Sequence, residues 1–114
     1  MIEVREYIDQ SGRNHYRTWL AAFDAGIRTR IDRAVFRLGQ GNFSIVKPEG
    51  AGVSALGLDF GPGYRIYFGQ DGSEIVVLLA GGTKRRQEDD ILLAKQLWDE
   101  YKKRKKGAPN APHA

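Results

Sequence analysis

At 114 residues and without cysteine, the chain is sized for one domain with a single hydrophobic core, and it excludes a disulfide framework or a thiolate metal centre. Its imidazoles, His15 and His113, are far apart, so no metal site or cofactor is expected, and no apolar run reaches the ~20 residues of a membrane span, which points to a soluble cytoplasmic protein. The net charge of +4 is uneven: five of the 18 basic residues are Lys102–Lys106, leaving 13 against all 14 acidic groups in residues 1–101, so the high pI is not in itself a nucleic-acid signal.

The N-terminus alternates, with Ile2, Val4 and Tyr7 between Glu3, Arg5 and Glu6, which predicts a first strand broken by Asp9 to Gly12. Tyr16, Trp19, Leu20 and Phe23 follow at helical spacing behind Asn14, a suitable N-cap. Asp24 is placed to cap a second helix, in which Ile27, Ile31, Ala34, Val35 and Leu38 form a buried stripe and Arg30, Arg33 and Arg37 line another face. The GQGN segment at 39–42 ends it. The two helices read as a hairpin on a sheet, and a polar, Gly-rich connection carries Lys47 onward.

Residues 53–91 read as three strands leading into a helix. Gly61-Pro62-Gly63 offers a type II turn with Pro at its second position, and Asp71-Gly72 offers a two-residue type I′ turn, so an antiparallel meander is expected. On its middle strand Tyr64, Ile66 and Phe68 share one face, while Arg65 and Tyr67 share the other and are expected to point outward. Ile75 to Ala80 is an unbroken apolar run, as for a central strand covered on both faces and paired with the strand that holds Arg65.

The last helix is expected from near Gln87 to about Lys103, with Glu88, Asp89 and Asp90 at the positive end of its dipole. Ile91, Leu93, Ala94, Leu97, Trp98 and Tyr101 make a broad apolar face that covers either its own sheet or a partner. Residues 1–101 are thus expected to form the domain, and 102–114 a basic, disordered tail.

GN at 41–42, Lys47, GVS at 52–54, GPGYRIYF at 61–68, LL-x-GG at 78–82, Lys84, Gln87 and Asp90-Ile91 together resemble the Gp49-like, HigB-like branch of the RelE/ParE toxin superfamily, over most of residues 2–97. The resemblance implies an α+β, RelE-like fold with an N-terminal strand, a helical hairpin, an antiparallel meander and a C-terminal helix. It implies the toxin of a type II toxin–antitoxin module, held by a cognate helix-turn-helix antitoxin in a hetero-oligomer. RelE-like members are ribosome-dependent endonucleases of mRNA that inhibit translation, whereas ParE-like members poison gyrase.

The same resemblance places Arg65 at the cation used against the scissile phosphate, Lys84 at a second cation and Asp90 near a late acid/base residue. Lys47, Arg85 and Arg86 would contact RNA. Ala55-Leu56-Gly57 stands where the family commonly has ELR, and Thr83 where it has Asp, so reduced activity, altered target choice and an inactive toxin stay open. RNA cleavage by its own 2′-OH needs a proton acceptor, cations around the phosphorane and a proton donor for the leaving 5′-oxygen, but no cofactor. Arg65 and Lys84 would supply the cations, and Asp90 or Tyr67 the proton transfer. Each residue also has a structural role open to it: Arg65 stacked on Tyr67 or paired with an acid, Asp90 and Gln87 serving a helix N-terminus, and the basic loop and helix stripe as solvated faces.

Overall fold

The computed structural model describes residues 2–107, so the APNAPHA end, His113 included, lies outside the described residues. In chain order the elements are β1 (Glu3–Glu6), α1 (His15–Ala21), α2 (Ala25–Gly39), β2 (Val46–Gly50), β3 (Val53–Leu58), β4 (Tyr64–Asp71), β5 (Ile75–Thr83) and, after a 3₁₀ turn at Lys84–Arg86, α3 (Gln87–Lys106). The class is α+β. The caps form as the sequence predicts: Asn14 accepts a hydrogen bond from the Arg17 N–H and Asp24 one from the Ile27 N–H.

The sheet has five strands in the order β1-β5-β4-β3-β2. β2 to β5 pair antiparallel as a meander, but β1 joins β5 in parallel, so the sheet is mixed and not antiparallel throughout. β2 forms where a polar connection is expected. Its Lys47-Pro48-Glu49 core has no alternation, and Pro48 is tolerated because β2 is an edge strand.

All three hairpin turns differ from a simple reading. Ala51-Gly52 joins β2 to β3 with φ of 55° and 83°, the pair of positive angles that a type I′ turn needs. In the next turn Gly63 N–H bonds Phe60 O at 2.9 Å, which makes Pro62 the third residue and gives the left-handed position to Gly61. The β4–β5 connection spans Gly72 to Glu74, because Asp71 stays in the ladder opposite Ile75. Its carboxylate is held there by Tyr101 Oη at 2.5 Å and Lys105 Nζ at 2.6 Å, both donated from α3.

Both faces of the sheet are covered. Leu20, Ile31 and Leu38 of α1 and α2 pack on Leu56, Ile66, Phe68 and Leu78, while Ala94, Leu97 and Trp98 of α3 pack on Val53, Ala55, Tyr67, Val77 and Leu79. The face holding Arg65 and Tyr67 is therefore not outward as expected, since α3 lies over it and leaves Tyr67 0% exposed. α3 uses its broad apolar stripe on its own sheet, where each buried large side chain contributes roughly 1.5–3 kcal/mol. Glycines let the indoles lie flat: a β-carbon would come within 2.1 Å of Trp19 at Gly81 and 2.5 Å of Trp98 at Gly69.

α3 also runs past its expected end. Lys102 to Lys106 are helical and not a disordered tail, because Arg104 donates to Ile8 O at 2.9 Å and Lys105 pairs with Asp71. Among the described residues, no helix is long and apolar enough to cross a membrane.

Candidate functional site

The register aligns Gly57, Arg65 and Gly82 across β3, β4 and β5, so Arg65 is flanked on both neighbouring strands by residues without side chains. The two lanes differ. A β-carbon at Gly57 would meet nothing within 4 Å, whereas one at Gly82 would lie 1.8 Å from Oδ2 of Asp90, which reaches over from the first turn of α3. The next row on this face is Lys47, Ala55, Tyr67 and Ala80, since residues directly opposite in a ladder share a face.

Within this cluster two donors are left over. Arg65 is 17% exposed and its Nη1 is 3.9 Å from Glu49 Oε2, while its buried Nε and the buried Tyr67 Oη have no hydrogen-bond partner among the described residues. An unpartnered buried polar group costs roughly 1–3 kcal/mol, so either donor gains by meeting an acceptor.

Burial pushes the Tyr67 phenol up to about 12; Arg65 opposes the shift, and the Asp90 and Glu49 carboxylates add to it. Tyr67 is thus a hydrogen-bond donor at neutral pH and a poor proton acceptor, which narrows the role expected for it. Burial also raises the Asp90 carboxyl above the usual aspartate range, against the pull of Arg86 and with help from Asp89. A carboxyl raised in this way holds its proton longer and is suited to donating it.

Lys84 opens the 3₁₀ turn, where its N–H bonds Gly63 O at 2.8 Å. Its side chain and that of Arg65 line one cleft of about 230 Å³, bounded by Gly57, Leu58, Asp59 and Gly63. The structure thus brings Arg65, Lys84, Tyr67 and Asp90 into one neighbourhood. Arg85 and Arg86 are exposed on the same turn but do not line the cleft, and Arg86 is 4.0 Å from Asp89. Lys47 is exposed on β2, on the Arg65 face and outside the cleft lining.

Glu49 is the residue that sequence reasoning missed. A register slip between Pro48 and Gly50 accompanies its turn toward Arg65, and an irregular edge strand announces neither itself nor its slip. Chemically, the site presents a guanidinium and an ammonium to an anion, with the raised Asp90 carboxyl on one side and Glu49 beside the guanidinium. Among the described residues no group of three His, Cys, Asp or Glu converges as for a metal ion.

No known family model matches the chain, and no curated protein is significantly similar to it in sequence.

Proposed function

We propose that the chain is the toxin of a type II toxin–antitoxin module, acting in the cytoplasm as a ribosome-dependent mRNA endonuclease of the RelE-like kind. One observation carries the reading: a largely buried arginine with an unpartnered Nε shares a cleft with Lys84 and is flanked by Asp90, a carboxyl that burial raises above the usual aspartate range. The motif resemblance at GPGYR and GG-x-K-x-x-Q-x-x-D-I supports it, as does the order of elements.

In this reading Arg65 and Lys84 take the non-bridging oxygens of the scissile phosphate, where a well-placed donor is worth on the order of 10²–10³-fold. Glu49 accepts the proton of the attacking 2′-OH, and Asp90 gives its own to the departing 5′-oxygen. Tyr67 donates a hydrogen bond and keeps its proton. The ribosome positions the RNA, and a helix-turn-helix antitoxin encoded alongside silences the protein.

The empty Gly57 lane favours a second reading, a gyrase poison or a toxin that acts only by binding, because a cation is missing beside Arg65. Induction in a bacterium separates the two. Translation arrest with cut transcripts, lost in Arg65→Ala and damaged in Arg65→Lys for want of the planar fork, is the expected result. DNA damage with intact transcripts would overturn it in favour of gyrase, and equal toxicity of Arg65→Ala would remove Arg65 from the mechanism.

A further inference from the structure

A second groove, of about 510 Å³, lies on the other side of β3 and is lined by Arg30, Arg33 and Arg37 of α2 together with Asn42, Asp59 and Phe60. Its cations are among those on the surface that carry no ion pair. Arg5, Arg17, Arg86, Lys103, Arg104 and Lys105 all have acidic partners, whereas among the described residues none of these three arginines has one within 4.0 Å. They are also close to one another, at i, i+3 and i+7 of one helix, so they repel unless an anion lies between them.

The groove has a flat wall as well. The Arg30 guanidinium carbon stands 3.7 Å from the centre of the Phe60 ring, which seats the planar cation of an exposed side chain on an aromatic face. Asn42 Oδ1 is engaged by Ser44, which leaves the Asn42 amide N–H groups and the exposed Asp59 carboxylate as a donor and an acceptor at the rim. Gly57, Leu58 and Asp59 line both this groove and the Arg65–Lys84 cleft, so the two meet across the end of β3.

We infer that the arginine groove is a subsite for single-stranded RNA, in which a base stacks on the Arg30–Phe60 pair while the flanking phosphates lie on Arg33 and Arg37. A flat wall next to unpaired cations is the chemistry that receives an unstacked base with its backbone, and a duplex, whose bases are stacked away, offers nothing to that wall. Asn42 and Asp59 can pair with base edges, with Asp59 suited to an exocyclic amino group. The RNA identity rests on the reading of the adjoining cleft, which would hold the next phosphate of the same strand. Base and phosphate binding in the groove does not rest on it.

The test is fluorescence anisotropy of a labelled ten-nucleotide single-stranded RNA with the isolated full chain, from 50 to 200 mM salt. Arg33→Gln/Arg37→Gln is expected to weaken binding at least ~10-fold at the lowest salt and to reduce the salt slope by about 1.4, two contacts at about 0.7 each for a single strand. Arg30→Lys keeps the charge and removes the plane. It should leave the slope unchanged, lower affinity about fivefold or more and relieve the quenching of a 2-aminopurine placed in the strand. All three sites are exposed, so these variants should unfold at the parent's temperature.

Parent-like affinity in the Gln pair, equal binding of duplex RNA, tighter binding of the matching DNA strand, or full competition by an oligoglutamate of equal charge would each overturn the inference. The outcomes also separate it from the proposed function. A groove variant that binds normally while Arg65→Ala has lost toxicity sinks only the groove. An Arg65→Ala chain that stays toxic while the groove variants lose RNA sinks only the nuclease.

Discussion

Asp90 fills the space that Gly82 leaves empty: the carboxylate from the first turn of α3 sits where a side chain on β5 would stand, next to Arg65 in the adjoining strand. The contact ties the position of the helix to the absence of a single carbon. Gly82→Ala places a methyl 1.8 Å from Oδ2 and 2.6 Å from Cγ, too near for a rotamer change of the carboxylate tip alone to relieve. Overpacking of this kind costs typically ~1–3 kcal/mol, and the start of α3 should shift from the Arg65 cleft. Urea denaturation of Gly82→Ala, and of Gly82→Ala/Asp90→Ala, is the check. The double variant should recover most of the loss, and equal stability of both variants would mean that the two residues do not compete for the space.

Asp90 should also leave a mark on pH dependence. Its folded-state carboxyl is raised above the ordinary aspartate value of 3.8, mainly by burial, so in the window above 3.8 the folded chain binds more protons than the unfolded one. Stability associated with this group is then fully present below 3.8 and is lost as pH rises through the folded value. Asp90→Asn removes that loss. The variant is expected to gain thermal stability relative to the parent as pH goes from 3 toward 7, with the two converging at the acid end. A constant offset across the range would show that burial of the charge is not what Asp90 costs the fold.

Features carried by neighbouring residues were legible in the sequence. Asn14 and Asp24 announce their helices because a cap needs only the next three residues, and the alternation of Tyr64, Ile66 and Phe68 identifies their shared face. The apolar run Ile75 to Ala80 likewise marks an interior strand covered on both faces, buried from Val76 onward. What the sequence hides is non-local. The parallel pairing of β1 with β5 brings together residues from opposite ends of the chain, and β2 lacks the alternation that would mark it. Arg65, Lys84, Tyr67 and Asp90 could be named as candidates, yet Glu49 and the two glycine lanes could not. A missing side chain becomes informative only once the register shows what stands beside it.

The β2–β3 hairpin gives a test that leaves the site alone. Ala51 has a φ of 55°, the one non-glycine residue with a positive φ among the described residues. The left-handed region costs an ordinary L-residue roughly 1–2 kcal/mol, while Asn visits it far more readily. Ala51→Asn is therefore expected to stabilise the chain by about 0.5–1 kcal/mol, seen as a rise of a few degrees in Tm. Ala51→Val, whose β-branch resists that region, should lower Tm instead. If Val is tolerated as well as Asn, the hairpin does not hold the angle at position 51.

The two positions at which β3 departs from the RelE-like pattern it resembles do not have equal consequences. Ala55 is 0% exposed beneath α3, so Ala55→Glu would bury an unpaired carboxylate and should fail to fold. Gly57 faces open space on the same side of β3, beside Arg65, and its φ is not among the positive ones. Gly57→Arg should fit without strain and bring a second guanidinium to the cleft. If the protein is an attenuated nuclease, transcript cleavage in a purified translation system should rise ~10-fold or more, below the ceiling that a well-placed cation can supply. Gly57→Glu, with the same access and the opposite charge, should abolish what activity the parent has. A folded Gly57→Arg chain that cuts no better than the parent, alongside a Gly57→Glu chain that cuts no worse, would remove the open lane from the catalytic surface and leave the binding-only reading ahead.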